Sequence, residues 1–193
     1  MSPEEAYHWL LNHYRQTAYL ESMRNLLGWD QRTKMPSKGA QHRANQLANV
    51  TGFIHTRRSD PQVGEMLSKI EPSAFLKDPL SVESVNVREW RRTFDRAVKI
   101  PETLAVEIAQ VSAEAETVWQ KARPQSDWAA FQDYLKKIIE LKREEAERVG
   151  YTKEPYDALL DEYEPGETTE NLEKTLAELR KGLVDILAQI EAS

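Results

Sequence analysis

By residue type, four histidines are the groups best suited to hold a metal or move a proton: His8, His13, His42 and His55. A zinc site built on one helix needs two histidines four residues apart, so that both imidazoles share a face and the intervening Glu reaches the metal-bound water. Here the nearest pair, His8 and His13, is five apart, and at roughly 100° per residue the two rings diverge by about 140°. The four side chains therefore read as surface or half-buried histidines. A di-iron bundle would need two Glu-x-x-His motifs on different helices; Glu5 and His8 supply one, and no other histidine has a Glu three residues before it. The chain contains no cysteine, which removes disulfides, thiolate zinc sites and cysteine nucleophiles and points to a reducing cytoplasm. The phosphate-cradling and nucleophile-elbow motifs G-x-x-x-x-G-K, G-x-G-x-x-G and G-x-S-x-G are also absent. No catalytic residue and no metal-ligand set is assigned within this sequence.

Two segments carry more specific side chains than a connector needs. The first holds Trp29, Asp30, Arg32, Thr33 and Met35 ahead of Pro36. Trp29 can anchor a turn by burying its ring, Asp30 can pair with Arg32 or Arg43, and Pro36 can begin a helix. The second runs from Glu154 to Leu172 and includes Tyr156, Asp157, Asp161, Glu162, Glu164, Pro165 and Gly166. Its carboxylates do not fit a calcium loop, because the bend glycine follows the acidic run instead of lying inside it. A short helix begun by Pro155, with Asp157 favouring its N-terminal dipole and Pro165-Gly166 turning the chain, accounts for the same residues. Both segments read as structural.

Charge excludes some partners. With 26 basic and 32 acidic residues the formal net charge is -6, a mixed balance that suits a soluble protein and does not advertise nucleic-acid binding. Arg88, Arg92, Arg96 and Lys99 fall at helical spacing, but Glu89 and Asp95 interleave with them and no aromatic platform accompanies them, so they predict a solvated face with local ion pairs. No run reaches the length of a membrane span, and no export signal leads the chain.

The elements that must position these segments are helices: apolar residues recur at helical period throughout and no alternating strand run is evident. The sequence predicts an all-α fold. A first helix is capped by Ser2, with Pro3 at its first position, Glu4 and Glu5 in its first turn, and Tyr7, Leu10, Leu11, Tyr14 and Ala18 on one face, ending near Gly28. A second spans Lys38 to Arg57, and a shorter one follows Asp60 and Pro61. Loop chemistry from Glu71 to Pro79 precedes a charged helix over Val85 to Lys99. Pro101 restarts the pattern, Ser126 or Asp127 caps the next helix, and Gly150 stops it. Thr168 caps a last helix whose Leu172, Leu176, Leu179, Leu183, Ile186 and Ile190 repeat at four- and three-residue steps. Leu104, Ile108, Val111, Leu135, Ile138, Leu176 and Leu183 are expected to be buried, and residues 1–193 to form a single helical unit.

The strings "WDQRTKMP" (Trp29 to Pro36), "AETVWQKAR" (Ala115 to Arg123) and "PYDALLDEYEPG" (Pro155 to Gly166) resemble the amino-terminal part of the carboxypeptidase Taq family of thermostable zinc metallocarboxypeptidases, in the same order along nearly the whole chain. The resemblance implies a helical array like the amino-terminal part of neurolysin and angiotensin-converting enzyme, in which such helices cover part of a deep groove. It further implies an activity that removes residues from peptide carboxyl termini, zinc as the family's metal, and homodimers. The family's His-Glu-x-x-His helix, its third ligand and its His-Pro-Phe motif have no match here. Asp30-Gln31-Arg32-Thr33 is followed by Lys34 where Asp-x-Arg-x-Thr requires threonine, and Val87-Arg88 is followed by Arg91-Arg92 where Ala-Asp would be needed. The sequence thus reads as a non-catalytic, groove-covering region, ending before the catalytic half and partnered by that downstream region and by itself as a homo-oligomer. The alternative is a standalone helical dimerisation protein of the same descent.

Overall fold

A computed structural model describes residues 1–192. Among them every long regular element is helical: α1 (Pro3–Thr33), α2 (Ala40–Arg58), α3 (Pro61–Ile70), α4 (Val82–Ala97), α5 (Glu102–Gln125), α6 (Trp128–Val149), α7 (Pro155–Leu160) and α8 (Thr169–Glu191), with short 3-10 turns at Ser37–Gly39 and Ala74–Leu76. The all-α expectation holds, and no described helix is long and apolar enough to cross a membrane. The helices fall into two compact units, Met1–Leu141 and the chain from Lys142 onward.

In the first unit, α1 starts as its sequence dictates. Ser2 Oγ accepts the Glu5 backbone N–H at 3.2 Å, and the Ser2 N–H donates to Glu5 Oε2 at 2.7 Å, which satisfies two otherwise orphaned donors. The helix does not end near Gly28; it continues to Thr33. An interior glycine costs only about 1 kcal/mol relative to alanine, whereas Pro36 forces the residue before it out of helical geometry, and the proline sets the end. Pro36 in turn opens a 3-10 turn instead of the helix itself, so α2 begins at Ala40, two residues later than expected. Asp60 caps α3 by accepting from the Gln62 N–H at 2.9 Å. Ser81 caps α4 through the Ser84 N–H, starting it at Val82, ahead of Val85. Of the two candidates before α6, Asp127 is the cap, taking the Ala130 N–H at 3.1 Å, while Ser126 closes α5 in the left-handed region at φ 53°.

The core lies where α1, α3 and α4 meet. Ala6, Tyr7 and Leu10 of α1 bury against Val63, Met66, Leu67 and Ile70 of α3 and Val87 of α4. Trp90 stacks on Tyr14 at 5.0 Å between centroids, and the Tyr14 hydroxyl donates to the Trp90 carbonyl at 3.1 Å. Burial raises the Tyr14 pKa and keeps it protonated. Gly64 lets α4 approach, because a Cβ there would stand 2.7 Å from Phe94 Cζ. The buried face of α1 runs through Tyr7, Leu10, His13 and Thr17, not on to Ala18, which is exposed. His13 is therefore a correction to the surface or half-buried reading. Its ring stacks on Trp9, its Nε2 lies 2.8 Å from the Arg57 carbonyl, and desolvation lowers its pKa. Arg57 of α2 returns the contact by donating to Thr17 Oγ1 and the His13 carbonyl.

A second layer joins α2 to α5 through small residues, with Ala44, Ala48 and Gly52 on α2 and Ala113 on α5. Leu104 is buried, and Ile108, Val111, Leu135 and Ile138 are half-buried. The basic residues of α4 do make local ion pairs: Arg88 and Arg92 with Glu89, and Arg91 with Asp95 and Glu71.

In the second unit, Gly150 ends α6 at φ 86°. Ala158 and Leu160 of α7 are buried. Thr168 caps α8 by accepting the Asn171 N–H at 3.3 Å. Leu176 and Leu183, expected in the core, are 51% and 49% exposed. The repeat builds the helix as read, but no α8 residue is buried.

Leu67, with no exposed surface, generates a test of this core. Leu67→Ala should destabilise the first unit by about 2–5 kcal/mol through lost transfer energy and a residual cavity, measured by denaturant unfolding. A loss below about 1 kcal/mol would place the core elsewhere.

Candidate functional site

The corner from Trp29 to Pro36 closes α1 and faces two other helices. Asp30 Oδ2 accepts from Arg43 Nη2 at 2.6 Å, and the same guanidinium donates to the Leu27 carbonyl at 2.6 Å and Gln46 Oε1 at 3.0 Å. Arg43, only 13% exposed, thus has both sides of its planar fork occupied, and it ties the end of α1 to α2. Of the two partners open to Asp30, the structure takes Arg43. Arg32 instead pairs with Glu116 of α5 at 2.6 Å. Thr33 Oγ1 donates to the Trp29 carbonyl at 2.8 Å, and Lys34 and Met35 N–H groups both reach the Asp30 carbonyl at 2.9 Å, which satisfies the helix end. Trp29 does not bury its ring as expected. It is 55% exposed and lines a cleft with Gln31 and Arg32.

Beside this corner, α1, α2 and α5 enclose a cleft of about 690 Å³ lined by Arg24, Trp29, Gln31, Arg32, Thr33, Leu47, Thr51, Ile108, Ser112 and Glu116, among others. Gln31 carries no signal in the sequence. It is 6% exposed, its Nε2 donates to the Ala113 carbonyl at 3.0 Å, and its Oε1 has no hydrogen-bond partner. No short-range pattern could reveal a contact that spans 82 positions. The cleft offers hydroxyl, amide and guanidinium groups over an apolar floor. It also holds the Glu116 carboxylate, which is paired with Arg32 at 2.6 Å.

The second segment is positioned by its own unit. Asp157 sits in the first turn of α7 as expected, but its carboxylate is spent on the next helix: Oδ1 accepts the Thr169 N–H at 2.7 Å and the Thr169 hydroxyl at 2.5 Å. These hydrogen bonds lower the Asp157 pKa. Asp161 Oδ1 accepts the Gly166 N–H at 2.9 Å, and Gly166 turns at φ 80°, a region that favours glycine. Glu164, Pro165 and exposed Tyr156 complete the turn and its flank. Pro165-Gly166 reverse the chain as read, although α7 has already ended at Leu160.

Zinc, the metal that the resemblance implies for the family, finds no donor set here. Among the described residues no three His, Cys, Asp or Glu side chains converge on a possible ion. The residues present do not fit the group.

The lowered Asp157 pKa sets a pH dependence. A carboxyl whose folded pKa is depressed contributes stability that is full above its unfolded value, about 3.9, and is lost as pH falls through the folded value. The Thr169 amide resonance should therefore titrate with a midpoint below about 3.9, and Asp157→Asn should abolish that titration. A midpoint at or above the unfolded value would contradict the bond.

With both segments placed, comparison with known proteins assigns the lineage. The family model described as "Carboxypeptidase Taq (M32) metallopeptidase" matches residues 9–193. The chain is 48% identical to thermostable carboxypeptidase 1 of Thermus thermophilus, over 100% of this chain and 40% of the relative. Among solved structures, BsuCP superposes with a TM-score of 0.88 at 27% identity, over 98% of this chain and 38% of that one. The carboxypeptidase of Pyrococcus furiosus superposes with a TM-score of 0.77 at 30% identity, over 96% and 37%. The chain thus spans about two fifths of the length of these relatives. A match running from α1 to the last helix, and carrying both the Trp29 corner and the Asp157 turn, means that the chain belongs to the carboxypeptidase Taq (M32) metallopeptidase family.

Proposed function

We propose that this chain is the amino-terminal, groove-covering helical region of a zinc metallocarboxypeptidase, without peptidase activity by itself. The supporting observation is the pairing of a family match over residues 9–193 with the lack of any convergent metal-donor set among the described residues. In this reading the ligands and the general base belong to a catalytic region after these residues, and zinc is held there. This chain contributes shape. Asp30 and Arg43 fix the corner, Trp29 and the cleft beside it present surface towards the groove, and Asp157 fixes the start of α8. The intact protein removes residues from peptide carboxyl termini, resides in the cytoplasm and assembles as a homodimer.

The experiment compares two proteins with zinc or cobalt present: the chain alone, and a chimaera in which this chain replaces the matching two fifths of the Thermus relative. Release of carboxy-terminal residues from amino-blocked peptides is expected from the chimaera and not from the chain. Metal-dependent release by the chain alone, surviving substitution of His8, His13, His42 and His55, would overturn the reading. So would a folded chimaera without activity.

A further inference from the structure

The last helix is built to be covered. Leu172, Leu176, Leu179, Leu183, Ile186 and Ile190 step by four and three residues, which keeps them within one stripe of a helix. Yet Leu176, Leu179, Leu183, Ile186 and the adjoining Leu187 are between 49% and 57% exposed. The opposite face carries Lys174, Glu178, Lys181 and Asp185, with Lys174 paired to Glu170 at 3.0 Å. In proteins most helical stability comes from packing an amphipathic face and not from propensity alone. A contiguous stripe of this kind marks an association surface.

Resting on the reading above, we propose that the α8 stripe is the docking surface for the catalytic region of the same polypeptide, seated between at least two of that region's helices. The matched relatives are longer than this chain by more than half of their own length, which supplies an occupant. The edges of the stripe favour that occupant over a second copy. In a parallel pair of α8 helices, Thr175 would face Arg180 and Gly182 would face Leu187, so no ion pair would set the register of a second copy in that orientation. Leu187 widens the seam beyond the two positions per heptad that a two-stranded coil uses, and a wider face suits several neighbours. Gly182 lies on the Ile186 edge with nothing within 4 Å of where its Cβ would stand. A glycine in mid-helix weakens the helix on its own, and it leaves a notch where another backbone can come close.

The probe is Leu179→Cys, made in the chain alone and in the chimaera, because this chain has no cysteine of its own. Modification by a maleimide is read on the α8 peptide by mass. In dilute chain the site should react at the rate of a free thiol, and in the chimaera at least ten times more slowly; a second substitution, Gly182→Gln, should restore the fast rate there by filling the notch. Equal rates in chain and chimaera would overturn the docking surface. Protection that appears in the chain alone as its concentration rises, and that is unchanged in the chimaera, would assign the stripe to a second copy and overturn the proposed occupant. An active chimaera whose introduced thiol in α8 reacts freely would defeat the docking surface and leave the enzymatic reading standing. A protected thiol in an inactive chimaera would do the reverse.

Discussion

The burial of the first turns of α1 against α3 is the contact from which the rest of the first unit follows. Ala6 and Leu10 have no exposed surface and meet Val63, Leu67 and Ile70, which are equally enclosed. Because α1 is an unbroken helix of 31 residues, at 1.5 Å per residue it acts as a rod about 46 Å long. Fixing Leu10 in the core therefore fixes which way Gln31 and Arg32 point at the far end. The His13–Arg57 and Asp30–Arg43 contacts then lock α2 along the rod at two heights, and Gln31 and Arg32 reach α5. The cleft beside the corner is the space these three helices leave.

Local chemistry is legible wherever one residue type answers one backbone need. Ser2 with Glu5, Asp60 with Pro61, and Thr168 all cap helices where the sequence places them. Gly28 misleads because a glycine can end a helix but does not have to, and three tertiary contacts at Asp30, Gln31 and Arg32 hold the helix on through it. Trp29 misleads in the opposite way: a large ring suggests burial, but helix phase gives the inward directions to Asp30 and Gln31. His13 is unreadable as a buried residue because its partner is a backbone carbonyl 44 positions away.

The α8 stripe shows a different limit. Periodicity reports that a helix has an apolar face, and it reports equally well whether the cover for that face lies in the same chain or elsewhere. Leu176 and Leu183 carry the same periodic signature as Leu104; Leu104 is 4% exposed and they are about half exposed. In the family this chain belongs to, relatives extend well beyond the matched region. The described residues thus combine an enclosed core in the first unit with an uncovered seam on the last helix.

The central claim is this division of stability, and native-state hydrogen exchange on the chain alone tests it most directly. Amides of α1 around Leu10 and of α3 around Leu67 should exchange only through global opening of the first unit, while those of α8 from Leu176 to Ile186 should exchange roughly a thousand times faster or more, as expected of a helix without a packed face. Protection in α8 equal to that of α1 and α3, at concentrations where the chain is monomeric, would contradict the account.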